Sequence, residues 1–299
     1  MNKILVIGSA TMDMVVKTDM FPIPGETKLG GKFLMNAGGK GANQAVAIAR
    51  LDGSLTFVAK LGKDIFANQI IEGYKNENIN TDYIFSDENN ASGIALIMVN
   101  AEGENCIVVA PGSNSSLLKK DVELIEDFSK AEIILLQLEI PIETIEYIVI
   151  KAKNNNQKII LNPAPAKHLS DDLLNGIFLV TPNETEATIL TGIKVIDEAS
   201  ALNAANALLN KGIENVIITL GKQGAFFKNK NESFIINAPI VNAIDTTAAG
   251  DTFSGALCVA LTENKDWKNA IEFAVRAASI SVTRMGAQAS VPYRKEINL

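Results

Sequence analysis

Short runs of apolar and β-branched residues alternate along this chain with longer stretches whose apolar positions recur at helical spacing. Ile4–Ile7 reads as a strand, 41–51 as a helix, 55–59 as a strand and Ile65–Asn76 as a helix. The alternation resumes with strands at 132–136, Lys158–Leu161, 177–181 and 215–220, separated by helices over Ile142–Asn154 and 199–209. Strand and helix in turn predict an α/β fold of three layers, with helices covering both faces of a mostly parallel sheet. Two interruptions break the pattern. The segments 13–17, 30–34, Gly93–Val99 and 105–109 read as strands with no helix between them. They predict a small β-sheet lid inserted at about 11–37 and 91–112 into one α/β domain spanning 1–299.

Composition narrows the function classes. The chain has 299 residues, 47% hydrophobic and only 20% charged, enough apolar material for a large core. A net charge of −7 argues against nucleic acid or an anionic membrane as partner. The apolar run at the N-terminus stops at Ser9, too short for a signal peptide, and no later run reaches membrane-spanning length, so a cytoplasmic protein is expected. Cys106 and Cys258 match no metal-ligand spacing and read as free, buried thiols. The single histidine, His168, follows an Asn-Pro-Ala-Pro-Ala turn and is expected on a surface loop, which removes a histidine triad or a zinc site.

Chemistry concentrates at residues 245–257 (DTTAAGDTFSGAL). Ala248, Ala249 and Gly250 carry little side chain, so their N–H groups can approach an anion where an apolar helix begins and its first donors are unpaired. Asp251, just inside that turn, would reach a hydroxyl attacking a phosphorus bound there. Taken alone, Asp251 reads first as an ordinary helix N-terminal acid complementing the dipole, a reading that the rest of the chain reverses. Asp13 follows the first strand, placed to accept two sugar hydroxyls or to serve a turn. Residues 38–44 (GGKGANQ) lead into a helix and offer Lys40 and Asn43 for hydrogen bonds. They are no P-loop, since Lys40 is followed by Gly41, and no dinucleotide fingerprint, since position 44 is Gln. Asn183 with Glu186 forms a capping box, or orders Mg²⁺ and its waters around nucleotide phosphates. Residues 219–224 (TLGKQG) read as a hairpin turn or, beside a nucleotide, as a phosphate and ribose loop.

Residues 38–47 (GGKGANQAVA), 162–166 (NPAPA), 181–187 (TPNETEA), 245–257 and 283–292 (TRMGAQASVP) together, in this order, resemble the ribokinase family, within the carbohydrate and nucleoside kinases that include fructokinases and adenosine kinases. The likeness runs from end to end. It implies a ribokinase-like fold with a Rossmann-like core, and transfer of the ATP γ-phosphoryl to the 5-hydroxyl of D-ribose. By resemblance, Asp251 is the base and Ala248, Ala249 and Gly250 are the anion hole. Thr11, Met12, Asp13, Gly39, Lys40, Gly41, Ala42, Asn43 and Glu139 fall at sugar-binding positions, together with Asp251. Asn183, Thr219, Leu220, Gly221, Lys222, Gln223, Gly224, Gly250, Asp251 and Val275 fall at nucleotide positions, with Val275 where some relatives have a histidine near the adenine. Mg²⁺ is implied between the phosphates, reached through water from Glu186. A monovalent cation, usually K⁺, is implied at Asp245, Thr247, Ser281, Arg284, Gly286 and Ser290, mostly through main-chain carbonyls. A homodimer joined through the lids is expected, because unpaired lid edges need covering.

One departure leaves the sugar open. Thr11 stands where ribokinases often carry Asn, and it offers one hydroxyl in place of an amide. A site that hydrogen-bonds a given hydroxyl discriminates strongly against the analogue lacking it, so 2-deoxyribose, another small sugar or a nucleoside remain alternative acceptors. A non-catalytic sugar sensor is the alternative from another class. It would be expected to have lost part of the 248–251 unit, which is intact here.

Overall fold

The computed structural model describes residues 3–297, so Met1, Asn2 and the last two residues of the 1–299 span lie outside it. The chain opens with β1 (Ile4–Ile7), β2 (Thr11–Lys17), β3 (Lys32–Gly38), α1 (Lys40–Arg50), β4 (Leu55–Gly62), α2 (Ile65–Asn76) and β5 (Ile84–Asp87). Next come β6 (Gly93–Val99), β7 (Asn105–Ala110), α3 (Lys119–Glu123), β8 (Ile133–Leu136), α4 (Ile142–Asn154), β9 (Lys158–Leu161), α5 (Asp171–Leu174) and β10 (Leu179–Val180). The chain continues through α6 (Glu184–Thr191), α7 (Glu198–Asn210), β11 (Asn215–Thr219), β12 (Ala225–Asn229) and β13 (Ser233–Ile236), and closes with α8 (Ala249–Thr262) and α9 (Trp267–Ser281).

Among the described residues the main sheet has nine strands in the order β13-β12-β11-β10-β9-β8-β1-β4-β5. Strands β5 to β11 of that order pair in parallel, and β12 and β13 add an antiparallel edge. Central strands are apolar at every position because both faces are covered. In β1, Ile4 and Val6 enter the core under α1, α2, α8 and α9, while Leu5 and Ile7 enter the core under α3, α4, α6 and α7. The strand order reverses between β1 and β8, and the crevice beyond the carboxyl ends of those strands is where open α/β sheets bind ligands.

The second sheet, β3-β2-β6-β7, stands over that crevice. Its register puts Asp13 beside Asn36, Val15 beside Leu34 and Ile97, and Ile97 beside Ile107, all on the inner face. Met14 beside Met35 and Leu96, Val16 beside Phe33 and Met98, and Leu96 beside Val108 form the outer face. Period two thus separates an inner face from an apolar solvent face. Asn114 anchors the lid's root: its amide donates to the Ala10 carbonyl and accepts from the Ala10 N–H, both at 2.9 Å.

The predicted strands and helices are present, and β3 runs further than expected, to Gly38. Strands β5, β12 and β13 are additions that the periodicity did not announce. His168 is exposed in a loop, as expected. The thiols need one correction: Cys258 is buried in α8, but Cys106 is exposed. It shares the lid's outer face with Met98, its partner in register. Among the described residues no helix is long and apolar enough to cross a membrane.

Candidate active site

Two helices aim their N-termini at the crevice, α1 from Gly39 and α8 from Ala248, and neither first turn is capped by a side chain. Elsewhere α2, α7 and α9 begin under Asp64, Asp197 and Asp266, each accepting a first-turn N–H. In α1 the first-turn N–H groups are taken from outside the helix, Lys40 by Glu139 Oε2 and Ala42 by the Ser9 carbonyl, so the turn that faces a ligand is that of α8. Ala248 holds φ 59° and ψ 15°, a left-handed conformation that costs an alanine about 1 kcal/mol. It turns the chain sharply into α8. A side chain at Gly250 would meet nothing within 4 Å, so the space before this turn is open.

Asp251 lies at the centre, 5% exposed. Asn43 Nδ2 donates to its Oδ2 and Gln44 Nε2 to its Oδ1, each at 2.9 Å. Both amides come from the first turns of α1, which packs closely on α8 through Gly255: a Cβ there would lie 2.7 Å from the Ala47 methyl. Burial pushes the Asp251 carboxyl above its ordinary pKa, against the opposing pull of Lys40, Asn43 and Gln44. Lys40 itself is disfavoured by burial, but Asp251, Glu139, Glu186 and Asp13 outweigh that and hold its ammonium more basic than usual.

On the lid side, Asp13 Oδ1 accepts from the Thr11 hydroxyl at 2.9 Å, which leaves Oδ2 free of that bond. Burial raises the Asp13 pKa to about 6 despite this bond, with Glu139 and Asp251 adding to the rise. Gly38 makes room for the carboxylate, since a Cβ there would lie 2.2 Å from Asp13 Oδ2. Glu139 Oε2 accepts from Ser9 Oγ at 2.5 Å and from the Lys40 N–H at 2.9 Å, which ties the β8 loop to the start of α1. Met12 and Ala42 instead turn into the core, and Gly41 packs against Gly8. These three contribute backbone and packing, while Thr11, Asp13, Lys40, Asn43 and Glu139 contribute functional groups. The lid and the 244–247 and 285–289 loops enclose a cavity of about 850 Å³.

Beyond the α8 turn, a second cavity of about 450 Å³ is lined by Asn183, Thr219, Gly221, Lys222, Gly224, Gly250 and Val275. Leu220 and Gln223 fall outside this lining, and Leu220 is buried in the core beneath α6 and α7. Sequence reasoning missed the wall formed by Ala238, Pro239, Ile240, Val241 and Ala243, and Phe253, Ala278 and Val282 beside it. The wall is an apolar loop without periodicity, and no pattern announces it. A small chamber beside the second cavity shares Asn183, Thr219, Ala249 and Gly250 with it and is also lined by Lys40, Asn162, Glu186, Ala248 and Asp251. Asn183 and Glu186 make the expected capping box, with bonds of 2.8 and 2.9 Å. Burial also raises the Glu186 carboxyl pKa.

The chain was compared with known proteins. The model of the pfkB family carbohydrate kinases matches residues 1–294. The chain belongs to the pfkB family of carbohydrate kinases. It is a phosphotransferase by that membership. A ribokinase of Haemophilus influenzae is 46% identical over 292 residues, 97% of this chain and 95% of the relative. A deoxyribokinase of Salmonella typhi is 37% identical over 297 residues, 99% of this chain and 97% of the relative. The structure of Arabidopsis thaliana ribokinase complexed with ribose and ATP superposes with a TM-score of 0.91 at 32% identity, covering 99% of this chain and 97% of that one.

Metal-binding capacity among this family member's described residues is limited on the side-chain side: no group of three or more His, Cys, Asp or Glu residues could hold an ion. Asp245 accepts from the Thr247 N–H and the Gly286 N–H, both at 2.9 Å, and so draws two loops together; burial opposes its charge, but these bonds hold its pKa below the usual value. Ser281 and Ser290 turn their hydroxyls to the carbonyls of Ala278 and Ala287, and Arg284 pairs with Glu296.

Proposed function

We propose that this pfkB family member is an ATP-dependent ribose kinase that transfers the γ-phosphoryl group to the sugar 5-hydroxyl, giving ribose 5-phosphate and ADP. The observation that carries this reading is the position of Asp251. Its buried carboxylate lines the small chamber beside the second cavity, at the open first turn of α8. The sugar fits on the lid side, with Asp13 accepting hydroxyls and Glu139, Lys40 and Asn43 around it. ATP fits in the second cavity, its base against Val275 and its phosphates over Asn183, Thr219, Gly221, Gly224 and Gly250. Asp251 then takes the 5-hydroxyl proton as the oxygen attacks phosphorus, and Ala248, Ala249 and Gly250 donate N–H groups to the charge that develops on the transferring group. Lys40 lowers the cost of crowding carboxylates against phosphate oxygens. Mg²⁺, reached through water from Glu186, would neutralise phosphate charge. A monovalent cation among the carbonyls of the Asp245–Thr247 and Ser281–Ser290 loops would fix the anion hole's shape.

The domain reading accompanies this: one α/β domain over 1–299, with the lid inserted at about 11–37 and 91–112. The lid's inner face excludes water from a centre that would otherwise activate it. Its outer face, with Phe33 and Val108 exposed, is an apolar sheet surface that a second copy of the chain covers, making a homodimer. We place the reaction in the cytoplasm, where ATP is available.

A second reading, a 2-deoxyribose kinase, is favoured by the Thr11 hydroxyl being committed to Asp13 and by the deoxyribokinase relative. ADP release with Mg²⁺ and K⁺, measured with D-ribose, 2-deoxyribose, fructose and adenosine, separates the readings. Ribose is expected to give the highest kcat/KM, and Asp251→Ala to lower kcat by about 10³-fold or more. Preference for 2-deoxyribose would overturn the ribose assignment. Full turnover in Asp251→Ala would overturn the mechanism.

A further inference from the structure

The residue behind the base is as constrained as the base. Gln44, fully buried, donates from one Nε2 to two acceptors, Asp251 Oδ1 at 2.9 Å and Asn162 Oδ1 at 3.1 Å. Its carbonyl accepts from Gln137 Nε2 at 2.5 Å. Turning the Gln44 amide over would set its oxygen against two acceptors and its NH₂ against a donor, so Gln44 itself has one orientation, while the buried Asn43 Oδ1 and Gln137 Oε1 accept no hydrogen bond. Each neighbour is fixed in turn. Asn162 donates to the Thr181 carbonyl at 3.3 Å. Gln137, also fully buried, packs its Oε1 onto Gly8, where a Cβ would lie 1.9 Å away. Four buried amides, Asn43, Gln44, Gln137 and Asn162, thus converge behind one carboxylate from α1, the β8 loop and the turn after β9.

We propose that Gln44, oriented by Gln137 and Asn162, is a positioning residue that sets the carboxylate plane of Asp251 so that a free lone pair faces the sugar hydroxyl. Asn43 holds one oxygen and Gln44 the other, so the carboxylate cannot rotate about its Cβ–Cγ bond without losing both bonds. A proton acceptor depends on such alignment, because small misplacements of a reacting group reduce the rate sharply.

The proposal rests on Asp251 being the base, so the test includes Asp251→Ala beside Gln44→Leu, Gln44→Glu and Gln137→Leu in the full chain, with ATP, Mg²⁺, K⁺ and the sugar. Gln44→Leu is expected to lower kcat by about 10²-fold with KM for ATP within about twofold of wild type, and Gln137→Leu to show the same split at about tenfold. Gln44→Glu conserves shape and guards against a folding failure. It sets a second carboxyl against Asp251, which already faces Lys40 on α1, Glu139 behind β8, Glu186 on α6 and Asp13 on β2. The acid limb of its kcat profile is expected to move to higher pH, since two adjoining carboxyls cannot both ionise easily. Wild-type kcat in the Gln44 variants, with Asp251→Ala inactive, overturns the positioning role and spares the base. Loss of kcat matched by loss of ATP affinity and melting temperature, with the Gln44→Glu profile unmoved, also overturns it, as a structural role alone. Turnover surviving in Asp251→Ala overturns the reading beneath it.

Discussion

Asp13 and Asp251 are two carboxylates made reluctant to ionise by burial, and they stand on opposite sides of the reacting hydroxyl in the proposed complex. Asp13 has the consequence easier to measure. An ionised carboxylate accepts hydroxyl protons, so the KM for sugar should rise as pH falls through about 6, while the KM for ATP changes less. The stability sign follows from the same raised value. The folded chain holds this proton more tightly than the unfolded chain, so ionised Asp13 opposes folding above about pH 6, and that opposition vanishes below its unfolded value near 3.8. Asp13→Asn should therefore raise stability at pH 8 by on the order of 1 kcal/mol, after discounting for solvent screening, and the gain should close towards pH 4. Thermal melts of both proteins across pH measure it. Asp13 and Asp251 were legible as residues because each follows a strand or opens a helix. Gln44 was visible only as the residue that spoils a dinucleotide fingerprint, although an amide inside an alanine-rich helix is itself a signal of a buried polar task. Asn162 was visible as the head of the 162–166 motif but not as a partner of α1, and Gln137 gave no local signal, since their bonds to Gln44 span 118 and 93 residues.

The contact of α1 with α8 converts sequence into site geometry. Asp251 and Gly255 lie one turn apart on α8, and Gln44 and Ala47 lie one turn apart on α1, so the glycine that lets the helices approach also brings amide to carboxylate. Gly255→Val should force the helices apart. It is expected to destabilise the fold by about 1–3 kcal/mol and to lower kcat at least tenfold by stretching the Asn43 and Gln44 bonds. Denaturant unfolding and steady-state kinetics would check both effects, and unchanged kcat at reduced stability would disprove the geometric link. Elements of this kind were readable where periodicity was long and both flanks carried turns, as in α2 and α4. The antiparallel β12–β13 edge was not, because its short strands follow a glycine turn that also suits a nucleotide loop. α9 carries Val275 into the second cavity, and its expected place at a nucleotide came from resemblance rather than from the helix's own pattern.

The molecule as a whole leaves one apolar surface uncovered. Phe33 is 58% exposed and Val108 69% exposed on the lid's outer face, with Cys106 among their neighbours. A covered face predicts that Phe33→Glu yields a monomer while wild type sediments as a dimer. Sedimentation equilibrium at micromolar concentration reads the difference, and a monomeric wild type would refute the pairing. Cys106 was expected to be a buried thiol, but it lies on β7 at the edge of the lid, where every residue is exposed. At its other end the same lid has no slack. Strand β3 finishes at Gly38 and helix α1 starts at Lys40, so one residue separates the sheet over the sugar from the helix whose first turn grips Asp251. On the proposed reading, a displacement of the lid would pass to that helix through Gly39 alone, so a sugar drawing the lid down would also turn the amides that hold Asp251.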